Sequence, residues 1–181
     1  MNEDLQRFLL EASRDLASSL DYQDTLHRVA RLLVPRLCDG CSVYISEDGR
    51  EAERVAVANV DPAKEALAHE LPSRHLFTTE AHYGVGRVLR SGRSEMVPAI
   101  TDAFLVRAAA DRQHLAVLRG LKMRSSMIVP LRVRDRVVGA LSMVTDVSGR
   151  NFGPEELAFA EDFALRTAVA VENSLLYREA R

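Results

Sequence analysis

Few side chains in this 181-residue chain are suited to chemistry. Cys38 and Cys41 are its only cysteines, set as Cys38-Asp39-Gly40-Cys41, and its five histidines are His27, His69, His75, His82 and His114. A C-x-x-C serves redox chemistry when its thiol sits at a helix N-terminus, where the dipole lowers the thiol pKa. Here Cys38 stands at the end of a helical pattern, where the dipole acts in the opposite sense. A zinc site needs two further ligands, and there is no second C-x-x-C and no closely spaced histidine pair. His27 lies about three turns upstream on the same helix, too far for a compact site. The pair therefore reads as two buried or half-buried thiols, with Cys41 a small core residue of a first strand. A redox or metal sensor through Cys38 and Cys41 is a competing reading.

The other histidines are scattered through polar or helical segments. A single imidazole among them would serve to ligate iron or haem, although a lone histidine in a polar loop is more often a surface residue. No Ser-His-Asp arrangement, Gly-rich phosphate loop or metalloprotease motif occurs. Gly84-Val85-Gly86 opens a helix without the preceding strand of a dinucleotide fingerprint.

The elements that must position these residues follow from periodicity. Leu5, Phe8, Leu9, Ala12, Leu16 and Leu20 recur at helical spacing over residues 2–20. Asp21 is an N-cap for a second helix through Leu26, Val29, Ala30, Leu33 and Leu37, with a kink or early end at Pro35. Residues 41–45 and 54–60 read as strands around the turn Glu47-Asp48-Gly49-Arg50. Asp61-Pro62 starts a helix of about three turns ending near Leu71. Residues 72–83 read as a loop, 84–91 as a short helix closed by Gly92, 94–97 as a brief strand and 105–118 as a helix. Residues 125–133 and 136–145 form a hairpin around Arg134-Asp135-Arg136, and Pro154 opens a long terminal helix. Tight turns between strands imply an antiparallel sheet, with helices from both chain ends on one face.

Composition narrows the class. An apolar fraction of 47% and a charged fraction of 28% suit a folded globular protein. A net charge of −2 offers no basic footprint for nucleic acid, and no apolar run approaches the ~20 residues of a membrane span. Glu3 and Asp4 precede any apolar stretch, unlike the basic start of a signal peptide, so the expected address is cytoplasmic.

Three segments carry a family resemblance: FLLEASRDLASSLDYQDTLHRVARLLVPRL, YGVGRVLRSGRSEMVPAI, and LKMRSSMIVPLRVRDRVVGALSMVTDVSGRNFGPEELAFAEDFALRTAVAVENSLLYREAR. In this order they resemble the GAF domains of bacterial multi-sensor histidine kinases and phosphatase regulators. The resemblance implies an α/β (α+β) fold of GAF (PAS-like) type. It has a central antiparallel sheet of five or six strands, with the N- and C-terminal helices on one face and a ligand pocket on the other. A single domain is expected over residues 1–181, with opening helices in 1–37, sheet and pocket segments in 41–145 and an exit helix in 154–181.

Subtypes of the family are weighed against the residues present. Cyclic-nucleotide binders carry an asparagine-lysine pair, a phenylalanine and an acidic pair. Here Thr145-Asp146, Phe152 and Glu155-Glu156 lack the lysine and the spacing. Thr79-Glu80-Ala81-His82-Tyr83 has no cysteine for a covalent tetrapyrrole, and residues 74–121 have none for methionine sulfoxide reduction. No cofactor is required, and the domain itself is not expected to be catalytic. By segment, the resemblance puts His82, Tyr83 and Arg87 at the polar part of a pocket, with Arg87 suited to a carboxylate or phosphate. It puts Phe104, Met127, Met143 and Thr145 in the wall; the same residues would equally fill a collapsed pocket.

Leu157, Ala160, Ala164, Ala168, Val171 and Leu175 repeat at intervals of three and four, as do Leu5, Leu9, Ala12 and Leu16. Phe159, Phe163, Ala170 and Tyr177 form a second stripe. Two stripes suggest one face on the sheet and one on a second copy of the chain. The expectation is a homodimer sensing a small molecule and signalling through its exit helix to a histidine kinase or phosphatase. A ligand-free dimerisation module is the alternative.

Overall fold

The computed structural model describes residues 3–18, 21–77 and 80–180. In chain order the elements are α1 (Glu3–Ser18), α2 (Tyr22–Leu33), β1 (Gly40–Ile45), β2 (Glu51–Asn59), α3 (Pro62–Ala68), β3 (Arg74–Leu76), α4 (Val85–Ser91), β4 (Glu95–Val97), α5 (Asp102–Ala108), α6 (Arg112–Gly120), β5 (Ser125–Val133), β6 (Arg136–Thr145) and α7 (Pro154–Glu179). The strands form one six-stranded antiparallel sheet in the order β3-β2-β1-β6-β5-β4.

Local chemistry explains most boundaries. The Asp21 carboxylate accepts from the N–H groups of Gln23 and Asp24, at 2.9 and 3.1 Å, and starts α2 as an N-cap should. That helix ends at Leu33, ahead of Pro35. Asp61 caps α3 through the Ala63 N–H with Pro62 in the first turn, but the helix stops at Ala68, a turn earlier than its pattern suggests. Gly92 closes α4 in the left-handed region, at φ 62°, where glycine carries no side-chain penalty. For α7, Glu156 reaches back to the Gly153 N–H at 2.9 Å, half of a capping box, and the acidic first turn suits the helix dipole.

Three expectations need correction. The stretch read as a loop before Tyr83 contains β3, whose residues pair with Glu51–Glu53 and extend the sheet by an edge strand. Three residues are too few for periodicity to reveal. Strand β2 accordingly begins at Glu51, not at residue 54. The single helix read over 105–118 is two helices, each with its own N-cap: Thr101 bonds the Phe104 N–H, and Asp111 bonds the His114 N–H. Leu20 lies outside the described residues.

The two faces of the sheet are dressed differently. On one face α7 lies along β5 and β6, α2 along β1 and β2, and α1 packs on α7 and α2. Val43, Val129, Leu131, Leu141 and Met143 meet Leu26, Val29, Leu33, Phe159, Phe163 and Val171 there in the main core. On the opposite, inner face a smaller cluster joins Tyr44, Ala52, Ile128 and Ala140 to Val85, Val88 and Leu89 of α4. Pro130 in β5 is tolerated because β4 pairs only with Ser126–Ile128, leaving that side of Pro130 without a strand partner.

Asp39, between the two cysteines, is buried and holds the far end of the sheet. Its carboxylate accepts from the Asp146 N–H (2.6 Å), the Ser148 N–H (3.2 Å) and the Ser148 hydroxyl (2.6 Å). Asp146 in turn pairs with Lys64 of α3, and Arg150 donates to the carbonyls of Pro35 and Arg36, both at 2.8 Å. The loop leading from β6 to α7 is thereby pinned to the start of β1.

Candidate functional site

Strand parity decides which side chains reach the inner face. On β1 these are Ser42 and Tyr44; on β6, Ala140, Ser142 and Val144; on β5, Ser126, Ile128 and Pro130. A bulge opposite Val43/Tyr44 switches the facing of β2, so that Arg54 is the register partner of Tyr44 and Val57 that of Ser42. Helix α4 covers one end of this face, and Tyr44 is only 5% exposed beneath it. Further along, Ser42, Ser126, Ser142, Val57 and Val144 are only half-buried, although β1, β5 and β6 are interior strands. The middle of the inner face is therefore a partly open floor bearing three hydroxyls. None of those hydroxyls makes a hydrogen bond among the described residues.

Beside the floor stand Arg54, Tyr44 and His75. The Tyr44 and His75 rings meet edge-on, with centroids 5.3 Å apart. The Arg54 guanidinium donates from Nη2 to the carbonyls of His69 and Leu71, at 3.3 and 3.2 Å. Its Nη1 is enclosed without a hydrogen bond of full geometry, and the guanidinium interacts with the Tyr44 phenol. Burial pushes the Tyr44 phenol up, against the opposing pull of Arg54, so it stays protonated. Burial, with the nearby Arg54 and His114 charges, holds His75 below the ordinary imidazole range despite a hydrogen bond with the Pro72 backbone.

That shift has a sign. The folded-state value lies below the unfolded one, so the unfolded chain takes up the proton first as the pH falls. Stability is expected to be full above ~6.5 and to decline as the pH drops through the folded-state value of His75. Urea midpoints measured across that window should fall less steeply for His75→Gln than for the parent. Equal slopes would show that His75 does not carry the effect.

The residues read from the sequence as a pocket are divided by the structure. Tyr83 and Phe104 come together edge-on at 5.1 Å, and Arg87 reaches Glu95 at 3.1 Å. Glu95 also accepts from the Gly84 N–H at 2.9 Å, so Arg87 is already engaged. His82 is exposed. Met127, Met143 and Thr145 do not join them. All three are fully buried at odd-numbered positions of β5 and β6; the two methionines pack in the main core with α7, and Thr145 shares their parity. Tyr44, Arg54, Ser42, Ser126 and Ser142 were missed. The alternation of SSMIVPL and VGALSMVT holds the signal for the two serines of β5 and β6, since polar positions in a central strand mark the less covered side.

The helical seams also need correction. Leu9, Ala12, Leu16, Ala164, Ala168, Val171 and Leu175 are buried in their own chain, and Leu5 and Leu157 pack partly against the same core. Half of the second stripe is internal too: Phe159 and Phe163 stack with Phe8 of α1, at 5.7 and 6.4 Å, while Ala170 is half-buried and Tyr177 is exposed. What α7 leaves outward is a third stripe, Leu165, Val169 and Leu176, exposed by 55%, 46% and 57%.

Cys38 and Cys41 are both free and buried, on the helix side of the sheet. Burial pushes the Cys38 thiol well up, and the adjoining Cys41 and Asp39 reinforce it. No group of three or more His, Cys, Asp or Glu among the described residues is arranged to hold a metal ion.

The GAF domain family profile matches residues 21–171. The chain belongs to the GAF family. Its fold is shared by the GAF domain of a phosphoenolpyruvate-protein phosphotransferase from Coxiella burnetii, at 20% identity and TM-score 0.72, covering 97% of this chain and 96% of that one. The second GAF domain of DevS from Mycobacterium smegmatis is similar at 22% identity and TM-score 0.62, covering 89% of this chain and all of the other. So is a free methionine-R-sulfoxide reductase from Neisseria meningitidis, at 15% identity and TM-score 0.68, covering 100% and 96%. No curated protein sequence matches. Compared with a pocket drawn from the segments alone, this GAF domain offers a serine floor with a half-buried arginine beside it. No helix among its described residues is long and apolar enough to cross a membrane.

Proposed function

We propose that this GAF domain is a non-catalytic sensory module. It binds a small molecule on the inner face of its sheet and pairs with a second copy through the outer stripe of α7. It passes the signal along α7 to a histidine kinase or phosphatase output in the cytoplasm. The observation that carries the reading is the position of α7. One side of the helix is seated on β5 and β6, the strands whose other face bears Ser126 and Ser142, while its outer side presents Leu165, Val169 and Leu176. A shift of β5 or β6 on ligand binding is thus felt directly by the helix that would meet the partner.

The burial of both thiols and the raised pKa of Cys38 argue against redox chemistry at Cys38 and Cys41, because the thiolate is the reactive form. No cysteine lies on the inner face among the described residues, which likewise disfavours the reductase activity named for the Neisseria protein.

Native mass spectrometry of freshly purified protein tests the dimer. The parent should run as a dimer, and Leu165→Glu/Val169→Glu as a monomer with an unchanged melting temperature. Burying each of these side chains contributes ~1.5 kcal/mol or more, so the double substitution should weaken association at least roughly hundredfold. A monomeric parent would sink the paired-helix part of the proposal.

A further inference from the structure

The charge balance of the inner face narrows the ligand class, in an inference that rests on the ligand-binding reading above. Arg87 of α4, the helix over this face, is paired with Glu95 of β4. Tyr44 and His75 are held in their neutral forms by burial. Arg54 differs: it has no carboxylate within salt-bridge distance among the described residues, its Nη2 leans on two carbonyls, and the neutral Tyr44 phenol is the side chain its guanidinium interacts with, leaving its charge without a counter-charge. A half-buried guanidinium with no counter-charge and one enclosed N–H group that lacks a full hydrogen bond can still take an anionic partner. Arg54 stands one inner-facing rung along β2 from Val57, the partner of Ser42. Ser42 in turn is the register partner of Ser142, and Ser126 of Val144 beside it.

We propose that the ligand is a small hydroxylated organic anion. Its carboxylate or phosphate is received by the Arg54 guanidinium, and its hydroxyl or carbonyl groups lie on Ser42, Ser126 and Ser142. The planar guanidinium suits an oxyanion in two-point contact, and the serines both donate and accept, matching a polyhydroxy body better than an aromatic one. Tyr44 and His75 flank the anionic end as neutral hydrogen-bonding groups that do not repel it. In the absence of ligand the Arg54 charge has no counter-charge, and it gains one only on binding.

Melting temperature and calorimetric titration with malate, glucose 6-phosphate, inorganic phosphate and glucose test this on the full chain and three variants. Malate or glucose 6-phosphate should stabilise the parent in a saturable way, and whichever acts separates a carboxylate from a phosphate ligand. Glucose should not. Arg54→Met should abolish the anion-dependent shift, weakening binding about tenfold or more, without lowering the ligand-free melting temperature. Arg54→Lys should retain part of the response, and Ser142→Ala should weaken binding several-fold with ligand-free stability unchanged.

A drop in the ligand-free melting temperature of Arg54→Met, with anion binding intact, would show that Arg54 is structural and overturn the proposal. Stabilisation by glucose alone would overturn the anion class while leaving ligand sensing in place. No shift with any probe, together with a native mass spectrum lacking any adduct, would overturn both.

Discussion

Gly139→Ala is expected to be the most damaging single substitution in this domain. A Cβ at Gly139 would stand 2.0 Å from the carbonyl oxygen of Tyr44 and 3.2 Å from the Cα of Ile45. Both are backbone atoms of β1, which is hydrogen-bonded to β2 on one side and β6 on the other, so neither can swing aside like a flexible side chain. Relief requires β1 and β6 to separate at Ile45↔Gly139, beside the bulge at Leu131/Arg132 that re-aims β6. The expected cost is about 3 kcal/mol or more, in the upper range for a single substitution. For a chain of this length that corresponds to a fall in melting temperature of roughly 6–12 °C. Thermal unfolding by circular dichroism checks it. A change within a degree or two would mean that the strands accommodate the methyl group and that the close approach is not a constraint. Tyr44 sits on the displaced segment, so the Arg54 site should be disturbed together with the fold.

Phe159→Ala is expected to have an effect of comparable size, but a more local one. The Phe159 ring is fully buried and stacks on Phe8 at 5.7 Å and on Phe163 at 6.2 Å. Phe8 is covered on its outer side by the Arg36 guanidinium, 4.9 Å from the ring centre. This aromatic stack joins α1 to α7. Emptying its middle should cost about 3–5 kcal/mol, since the neighbours can close the gap only in part. Because α1 is held largely through that contact, its backbone amides should lose hydrogen-exchange protection before those of the sheet. Amides of residues 3–18 exchanging at the parent rate would show that Leu9, Ala12 and Leu16 suffice to dock the helix.

Most elements were legible because their signals are local. Asp21, Asp61-Pro62, Gly92 and Pro154 mark helix ends through groups within a few residues of one another, and the hairpin around Arg134 carries its turn between two alternating strands. The misses share a cause as well. Edge strand β3 exists because Glu51–Glu53 offers it a partner, which nothing in residues 74–76 announces. The split between α5 and α6 was marked by Asp111, whose capping of His114 was overlooked in favour of continuous apolar spacing.

The chain's own residues determined the family, the antiparallel sheet and the long terminal helix, because period, caps and turns are properties of neighbouring residues. Only the tertiary structure decided what each face of those elements meets. Helical spacing identified stripes on α7 but could not say that the first of them and the Phe159–Phe163 half of the second are consumed by the chain's own sheet and by α1, leaving Leu165, Val169, Leu176 and Tyr177 outside. Strand alternation sorted Met127 and Met143 from Ser126 and Ser142, yet which set faces the helices depends on where α7 and α2 pack. The bulge in β2 then brings Arg54 to the face that Tyr44 occupies. A one-residue irregularity reverses facing for every residue beyond it, and its position is set by pairing between strands, not by the strand alone.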